Sequence, residues 1–357
     1  MRPRGARRFP DQGRGGPVSD RTRLTDLADQ AGVSTATVSR VLNGKSGVSA
    51  QTRQSVLAAL DVLGYERPEK LRRRSAGLIG LVVPELTNPV FPNFAQQIES
   101  ALAHAGYTPL LCTQSPGGTS EDEYVQMLLD HGVDGIIFVS GLHADSQASS
   151  DRYHRLRSLR VPIVLINGYL GGLDAAFISA DDAGSMDLAV RHLVSQGHTR
   201  IGLAIGPQRF VPASRKVTGF ARALRERLGI DDVRPHVATS LFSVEGGRAA
   251  AGELLDSGHT AIVCGSDMMA LGAIRAARAR GLRVPDDVSV VGYDDSPLMA
   301  FTNPPLTTIR QSVDAMSAAA VSTMLAEIGG TTGPRTELLF SPELIVRDST
   351  AACPASA

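Results

Sequence analysis

The chain has 357 residues, of which 43% are hydrophobic and 20% charged, and its formal net charge is zero. This length predicts two or three domains, and the composition excludes a wholly disordered chain. No apolar run reaches the roughly 18 residues of a membrane-spanning helix. The N-terminal stretch lacks the apolar core of a signal peptide, and the three cysteines are far apart, so we expect a cytoplasmic protein without disulfides.

The neutral total conceals a charge asymmetry along the chain. Residues 1–76 carry 15 Lys and Arg against 7 Asp and Glu, whereas the remaining residues carry 21 basic and 29 acidic side chains. A basic segment attached to an acidic body is typical of a DNA-binding module joined to a separate domain. Residues 1–20 are rich in Arg, Gly and Pro, which predicts a disordered basic tail.

Residues 21–65 have the pattern of three short helices. The first is predicted from about Leu24 to Ala31, and the second, after a Ser N-cap, covers Thr35–Leu42. A third helix begins after Ser49 and ends at Gly64. Because a tight turn joins the first two helices, this segment is predicted to be a helix-turn-helix.

Residues 77–349 alternate short Val/Ile/Leu runs with amphipathic segments, a pattern typical of parallel sheets covered on both faces. Segments 77–84 and 200–207 resemble each other and could begin two similar α/β lobes. We expect two lobes to face a cleft, with a ligand at the carboxyl ends of the strands. The predicted strands are Leu78–Val83, Pro109–Cys112, Ile136–Ser140, Ile163–Ile166, Ile201–Ile205, Ala261–Cys264 and Val288–Gly292.

Specific motifs run through both regions. They are the helix-turn-helix run 24–43 and, in the core, Asn88–Phe91, Gly197–His198, Ser266–Gly272, Val291–Asp295 and Pro305–Ile309. Together they closely resemble the lac repressor (LacI/GalR) family. The resemblance implies an α/β protein with a three-helix headpiece (21–65), a hinge (66–76), a two-lobed core like that of periplasmic sugar-binding proteins (77–349) and a tail (350–357). It also implies a homodimer on palindromic double-stranded operator DNA, without a metal or cofactor.

The resemblance also implies which headpiece side chains contact DNA. Thr35 and Ala36 occupy the family's specificity positions. Arg40 matches its base-contacting Arg, whose guanidinium can bind guanine through two hydrogen bonds, although a phosphate contact is the alternative. Thr37 and Ser39 of the same helix could donate to phosphates or only cover the helix surface. Asn43, at the end of the helix, is a further predicted DNA contact.

The hinge, residues 66–76, departs from the family pattern. Relatives have an Ala-Arg-x-Leu helix whose leucines enter the minor groove, and that pattern is missing here. Leu71 is the one large apolar side chain of the segment, so it is the candidate wedge, with Arg72 and Arg73 on phosphates or in the minor groove. The alternative is a solvated basic linker in which Leu71 packs on the core.

Effector-binding residues are likewise implied by the resemblance. Asp294, Asn167 and Ser266 match polar positions that bind effector hydroxyls; Asp294 could instead cap a turn. Phe91 and Phe242 match aromatic positions that line the site.

The position of the family's effector-clamping Arg is taken here by Lys216, which follows Arg215. Which of these two cations enters the cleft stays open, and a lysine offers a point charge rather than a planar fork. Val90 and Val313 replace residues that are aromatic in several relatives, which favours a sugar over a flat nucleobase.

These features predict a ligand-responsive, sequence-specific transcriptional repressor of carbohydrate-utilisation genes, nucleoid-associated when bound to DNA. A small sugar-like effector would release it from its operator or lock it there. The sequence has neither a nucleophile elbow nor a dinucleotide-binding motif, so we predict no enzymatic activity. The alternatives are a sugar-binding protein without a DNA function and a regulator that responds to a nucleoside.

Overall fold

The computed structural model describes residues 20–43, 45, 47–65, 76–114, 117–331 and 336–354. The chain divides into two compact units, one ending at Arg74 and the other beginning at Ser75. Residues 1–19 of the predicted basic tail, residues 66–75 of the predicted hinge and residues 355–357 lie outside the described residues.

The first unit contains three described helices, α1 (Asp20–Ala31), α2 (Thr35–Leu42) and α3 (Ala50–Val62). The prediction for α1 was wrong at its start, because the helix begins four residues earlier. The turn after α1 uses Gly32 at φ +65°, a left-handed conformation that glycine adopts without steric cost. Leu27, Val38, Val41, Val56 and Leu60 are among the side chains that form the headpiece core.

The second unit consists of two lobes, each built around a six-stranded sheet of described strands. The first sheet has the strand order β11-β5-β4-β3-β1-β2 and is parallel throughout. Its elements are β1 (Leu78–Val83), α4 (Val90–Ala105), β2 (Thr108–Thr113), α5 (Glu121–Asp130), β3 (Gly135–Val139), α6 (Asp151–Ser158), β4 (Ile163–Ile166), β5 (Ala176–Ala180), α11 (Val313–Ile328) and β11 (Glu337–Phe340).

The second sheet repeats this arrangement with the order β12-β10-β9-β8-β6-β7, in which only the edge strand β12 is antiparallel. Strands β1 and β6, which come from the two similar sequence segments, occupy equivalent positions. The elements are α7 (Asp182–Ser195), β6 (Ile201–Ile205), α8 (Val211–Leu228), β7 (Val237–Thr239), α9 (Val244–Asp256), β8 (Ala261–Cys264), α10 (Asp267–Ala279), β9 (Ser289–Asp294), β10 (Thr307–Arg310) and β12 (Glu343–Ile345).

The chain passes between the lobes three times, through residue 181, residues 311–312 and residues 341–342. The connections are bonded to one another: the Asp181 N–H donates to the Phe340 carbonyl at 2.9 Å, and the Ser312 hydroxyl donates to the Ser341 carbonyl at 3.1 Å. These three short connections are bonded to one another, so they allow the lobes to rotate relative to each other without separating.

Part of the segment predicted as a tail is docked on the second lobe. The nitrogens of the buried His198 ring form hydrogen bonds with the hydroxyls of Thr260 and Ser289 and with the carbonyl of Ala351, at 2.9, 3.1 and 3.1 Å. The Cys353 N–H donates to the Gln196 carbonyl at 2.8 Å. The core therefore extends to Cys353.

Candidate functional site

Helix α2 has one buried and one exposed face. Val38 and Val41 are fully buried in the headpiece core, as their spacing predicts. Thr35, Ala36 and Arg40 are exposed. The face that remains accessible is therefore the one that carries the predicted base-reading positions.

Side chains hold both ends of α2. The Ser34 hydroxyl accepts a hydrogen bond from the Thr37 N–H at 3.2 Å, and the Asn43 side-chain amide donates to the Ser39 carbonyl at 2.8 Å. These caps satisfy backbone groups that the helix leaves unpaired at its ends. Part of the hydrogen-bonding capacity of Thr37 and Asn43 is thus used within the helix. The DNA contacts predicted for Leu71, Arg72 and Arg73 lie outside the described residues.

Asp294 ends strand β9 and is the centre of a buried polar cluster. Its Oδ1 accepts a hydrogen bond from the Gln311 amide at 2.6 Å, and the Asn88 side chain supplies a second one. Asn88 belongs to the first lobe and Gln311 to a connection between the lobes. The partners of this carboxylate therefore come from distant segments rather than from its own turn, and they link both lobes.

A second carboxylate, Asp267, interacts electrostatically with Asp294. Its oxygens accept hydrogen bonds from the Thr308 hydroxyl at 2.6 Å and the Ser296 N–H at 2.7 Å. Burial raises the pKa of Asp267 to about 7, and burial together with the repulsion from Asp267 raises the pKa of Asp294 to about 8. The fold thus favours the protonated form of both carboxyl groups, because it buries them close together.

The two neighbouring cations of helix α8 have different partners. Lys216 is buried, donates to Asp182 at 2.5 Å and lies near enough to Asp294 to interact with its charge. Arg215 donates two hydrogen bonds to Glu337 in the first lobe, at 2.6 and 2.9 Å. Of the two cations, Lys216 is therefore the one beside the Asp294 cluster.

In the first lobe, two predicted effector residues lie near strand ends. Phe91 is in the first turn of α4 and packs against the core of the lobe. Asn167 directly follows β4 at φ +63°, and its N–H donates to the Ile178 carbonyl at 2.8 Å. An asparagine tolerates this left-handed conformation better than most residues.

Two more predicted effector residues follow strands of the second lobe. Ser266 is the N-cap of α10, where its buried hydroxyl accepts from the Met269 N–H at 3.2 Å. The Phe242 ring packs against Gly206 and Gly265, where an added Cβ would lie 2.0 and 3.2 Å from ring atoms. Glycine is needed at these strand ends because the ring occupies the space of a side chain. Binding of an effector by these residues stays a prediction.

The lobes also meet away from Asp294, where the segment after β3 contacts the segment after β6. Asp145 and Arg209 form an ion pair at 3.1 Å. The Ser146 N–H and hydroxyl both donate to the Arg209 carbonyl, at 2.9 and 2.8 Å. We call this contact the clasp. The carboxyl ends of both sheets therefore face each other.

Sequence reasoning missed several polar residues of this region. Gln311 and Asp182 follow strands β10 and β5, which had not been predicted, so their place at a strand end was not recognised. Asn88 lies within a motif that had been singled out, but only Phe91 of that motif was assigned a role. A polar residue directly after a buried strand was the available signal.

Within the described part of the chain, no group of three or more His, Cys, Asp or Glu side chains could hold a metal ion. None of the described helices is long and apolar enough to cross a membrane.

Comparison with known families assigns both units. Residues 23–68 match the model of bacterial regulatory proteins of the lacI family, and residues 190–350 match a periplasmic binding protein-like domain. The HTH-type transcriptional regulator reg1 of Streptomyces lividans is 63% identical over 337 residues, which cover 93% of this chain and 98% of that protein.

Solved structures agree with this assignment. A complex of the transcriptional regulator CelR with cellobiose has a TM-score of 0.69 and 32% identity, and the match covers 91% of this chain and 99% of that one. A lac repressor dimer bound to operator and the anti-inducer ONPF has a TM-score of 0.67 and 29% identity, with 94% and 100% covered.

Proposed function

The chain belongs to the lacI family of bacterial regulatory proteins, and from that premise we propose that it represses carbohydrate-utilisation genes in response to a small sugar-like effector. It is a ligand-responsive, DNA-binding transcriptional regulator. The observation that carries the proposal is the Asp294 cluster, which joins acceptors for hydroxyl groups to the links between the lobes. The CelR–cellobiose complex, whose fold the core shares, supports a sugar as the effector.

The headpiece supplies the DNA contacts in this proposal. A helix fits the major groove of B-DNA, and the exposed face of α2 presents Thr35, Ala36 and Arg40 to the base edges. Two headpieces in a homodimer match the two-fold symmetry of a palindromic operator, and the lac repressor dimer on its operator supports this arrangement. Leu71, Arg72 and Arg73 would add contacts from the hinge.

The core supplies the response. An effector that hydrogen-bonds to Asp294 also changes the surroundings of Gln311, which lies in a connection between the lobes. An effector with different affinities for two lobe orientations shifts the population between them, and the headpieces follow. By linkage, operator DNA then changes the effector affinity by the same factor. The activity is regulated binding rather than catalysis.

A mobility-shift titration of the full chain on palindromic fragments from upstream of its own gene tests the proposal. We expect binding that weakens steeply with salt, because residues 1–76, which include the headpiece, carry 15 basic against 7 acidic side chains. Cellobiose, maltose and trehalose are then added, with cytidine and adenosine as nucleoside probes. A response to a nucleoside alone would replace the sugar with the alternative effector, and no retarded band on any fragment would contradict the proposal.

A further inference from the structure

The charge of Lys216 is already engaged within the protein. Its side chain is buried, its Nζ donates to the Asp182 Oδ1 at 2.5 Å, and the same Nζ lies 3.8 Å from the centroid of the Tyr293 ring. The Tyr293 hydroxyl donates to that same Asp182 oxygen at 3.0 Å. The ammonium group is thus held between a carboxylate and the negative face of an aromatic ring.

An anionic ligand could use Lys216 only by competing with Asp182. Both side chains are about 5% exposed, so water screens their attraction weakly. Separating a buried ion pair leaves an uncompensated charge, which is costly. The neighbouring Arg215 is no free substitute, because Glu337 binds its guanidinium through two hydrogen bonds.

Two further acids lie in the same cluster, while the nearby Arg215, which also interacts electrostatically with Asp182, is bound to Glu337. Asp294 interacts electrostatically with Asp267 and with Lys216. Asp182, which binds Lys216, is the third carboxyl group of the cluster. Asp182 already pairs with the ammonium group, and neither Asp294 nor Asp267 can add positive charge in either protonation state. A phosphate group, which carries a charge of about −1.5 to −2 at neutral pH, therefore meets no unpaired cation among these side chains. Carboxyl and amide oxygens accept hydrogen bonds from hydroxyl groups, so the same surface suits an uncharged polyol.

Resting on the proposed function of this site, we propose that the cluster selects an uncharged, hydroxyl-rich effector and excludes phosphorylated sugars, with Lys216, Asp182 and Tyr293 as the specificity-determining group. In this arrangement Lys216 is part of the wall of the site. Asp182 determines the specificity, because it neutralises the Lys216 ammonium group, which interacts with Asp294 and would otherwise attract a phosphate.

The first test measures binding of matched sugar pairs to the full chain by calorimetry. The probes are glucose with glucose 6-phosphate and trehalose with trehalose 6-phosphate, with cellobiose and maltose as further uncharged probes. We expect binding only among the uncharged sugars. A phosphate ester that binds as tightly as its uncharged parent, or more tightly, would overturn the proposal.

The second test needs no effector and uses inorganic phosphate as the probe. Asp182→Asn leaves Lys216 without its carboxylate, so the stabilisation of the variant by phosphate, measured as the shift in Tm, should correspond to at least a tenfold gain in affinity over wild type. The matched control is Asp256→Asn, which frees the surface cation Arg280 from its carboxylate and should gain nothing. General stabilisation by phosphate acts equally on all three chains.

Asp182→Asn could unfold the lobe, so a double variant completes the design. Asp182→Asn combined with Lys216→Met removes both charges together, which proteins often tolerate. We expect this double variant to remain folded and to gain no phosphate affinity. A gain in the double variant, or no gain in a folded Asp182→Asn chain, would overturn the proposal. If no sugar binds while the phosphate result holds, the proposed sugar effector fails and the charge selectivity stands.

Discussion

Arg40 is the headpiece side chain whose role can be measured most simply. It is exposed on the face of α2 opposite the buried Val38 and Val41. We expect Arg40→Ala to weaken operator binding by about 1–3 kcal/mol and to relax the preference at one base pair, because a bidentate contact to guanine is lost. Binding to operator variants with single base changes, followed by fluorescence anisotropy, measures both effects.

The control for Arg40 is Arg234→Ala, which removes an exposed cation of the core that pairs with its neighbour Asp232. That variant should bind the operator as wild type does. If Arg40→Ala lost the same binding free energy on the operator and on random DNA, Arg40 would contact only phosphates.

The raised pKa values of Asp294 and Asp267 lead to a prediction about how stability depends on pH. The pKa of Asp294 is raised to about 8 and that of Asp267 to about 7, whereas an unfolded aspartate titrates near 4. These two carboxyl groups therefore hold more protons in the folded than in the unfolded chain between about pH 4 and 8, and their contribution to stability falls as the pH rises through that window. Burial lowers the pKa of His143, to about 4, and the pKa values of His192, His198 and His259, and these histidines act in the opposite direction up to about pH 7.

Between about pH 7 and 8 the two carboxyl groups outweigh the histidines, and we expect the free energy of unfolding to fall by up to about 1 kcal/mol per pH unit. Asp294→Asn should flatten this slope, because it removes one carboxyl group and its repulsion of Asp267. Urea unfolding followed by circular dichroism measures the slope, which is convenient because the chain has no tryptophan. Asp232→Asn is the control, since its pKa of about 2 lies outside the window. Equal slopes for wild type and Asp294→Asn would contradict the expectation.

At the scale of elements, the clasp contributes to the arrangement of the lobes. Arg209 is half-exposed, so its ion pair with Asp145 is worth at most about 1 kcal/mol. We expect Asp145→Asn to speed hydrogen exchange of the Ser146 amide by about two- to fivefold, because that amide donates across the lobes.

Asn at position 145 keeps an oxygen for the Gln147 N–H, so the local turn persists. Asp232→Asn again serves as the control, because it removes a carboxylate from an exposed ion pair of the second lobe. Unchanged exchange at Ser146 in Asp145→Asn would show that the ion pair does not hold the clasp closed.

Elements whose apolar pattern matches their burial could be predicted from the sequence. Strands β1, β4, β6 and β8 were predicted with the bounds that the structure shows, because each is an uninterrupted apolar run. Strand β10 was missed because Thr307 and Thr308 interrupt the pattern. Both threonines are nevertheless fully buried, since their hydroxyls bond to the Arg347 carbonyl and to Asp267. Partners this distant in the chain leave no local signal.

The candidate site was likewise predicted only in part from the sequence. Motif matching found Asp294 and Lys216, but not that Asp182 neutralises Lys216 or that Gln311 binds Asp294. Those contacts depend on how the three connections bring strand ends together, which neither spacing nor composition encodes. For Leu71, Arg72 and Arg73, outside the described residues, the choice between wedge and tether stays open.

At the scale of the whole molecule, regulation by an effector requires two separable sites that influence each other. The headpiece and the core are distinct compact units, so a change in one site need not unfold the other. Coupling between them should appear as a change in operator affinity upon effector binding of about 5- to 150-fold.

The most direct test measures both affinities in the same three full-length chains: wild type, Arg40→Ala and Asp294→Asn. Operator binding is followed by anisotropy with and without the sugar that binds wild type, and sugar binding is followed by calorimetry. We expect Arg40→Ala to lose operator affinity but keep sugar affinity, and Asp294→Asn to keep operator affinity but lose the sugar response. A sugar response that survives unchanged in Asp294→Asn would contradict the proposed role of this cluster in the response.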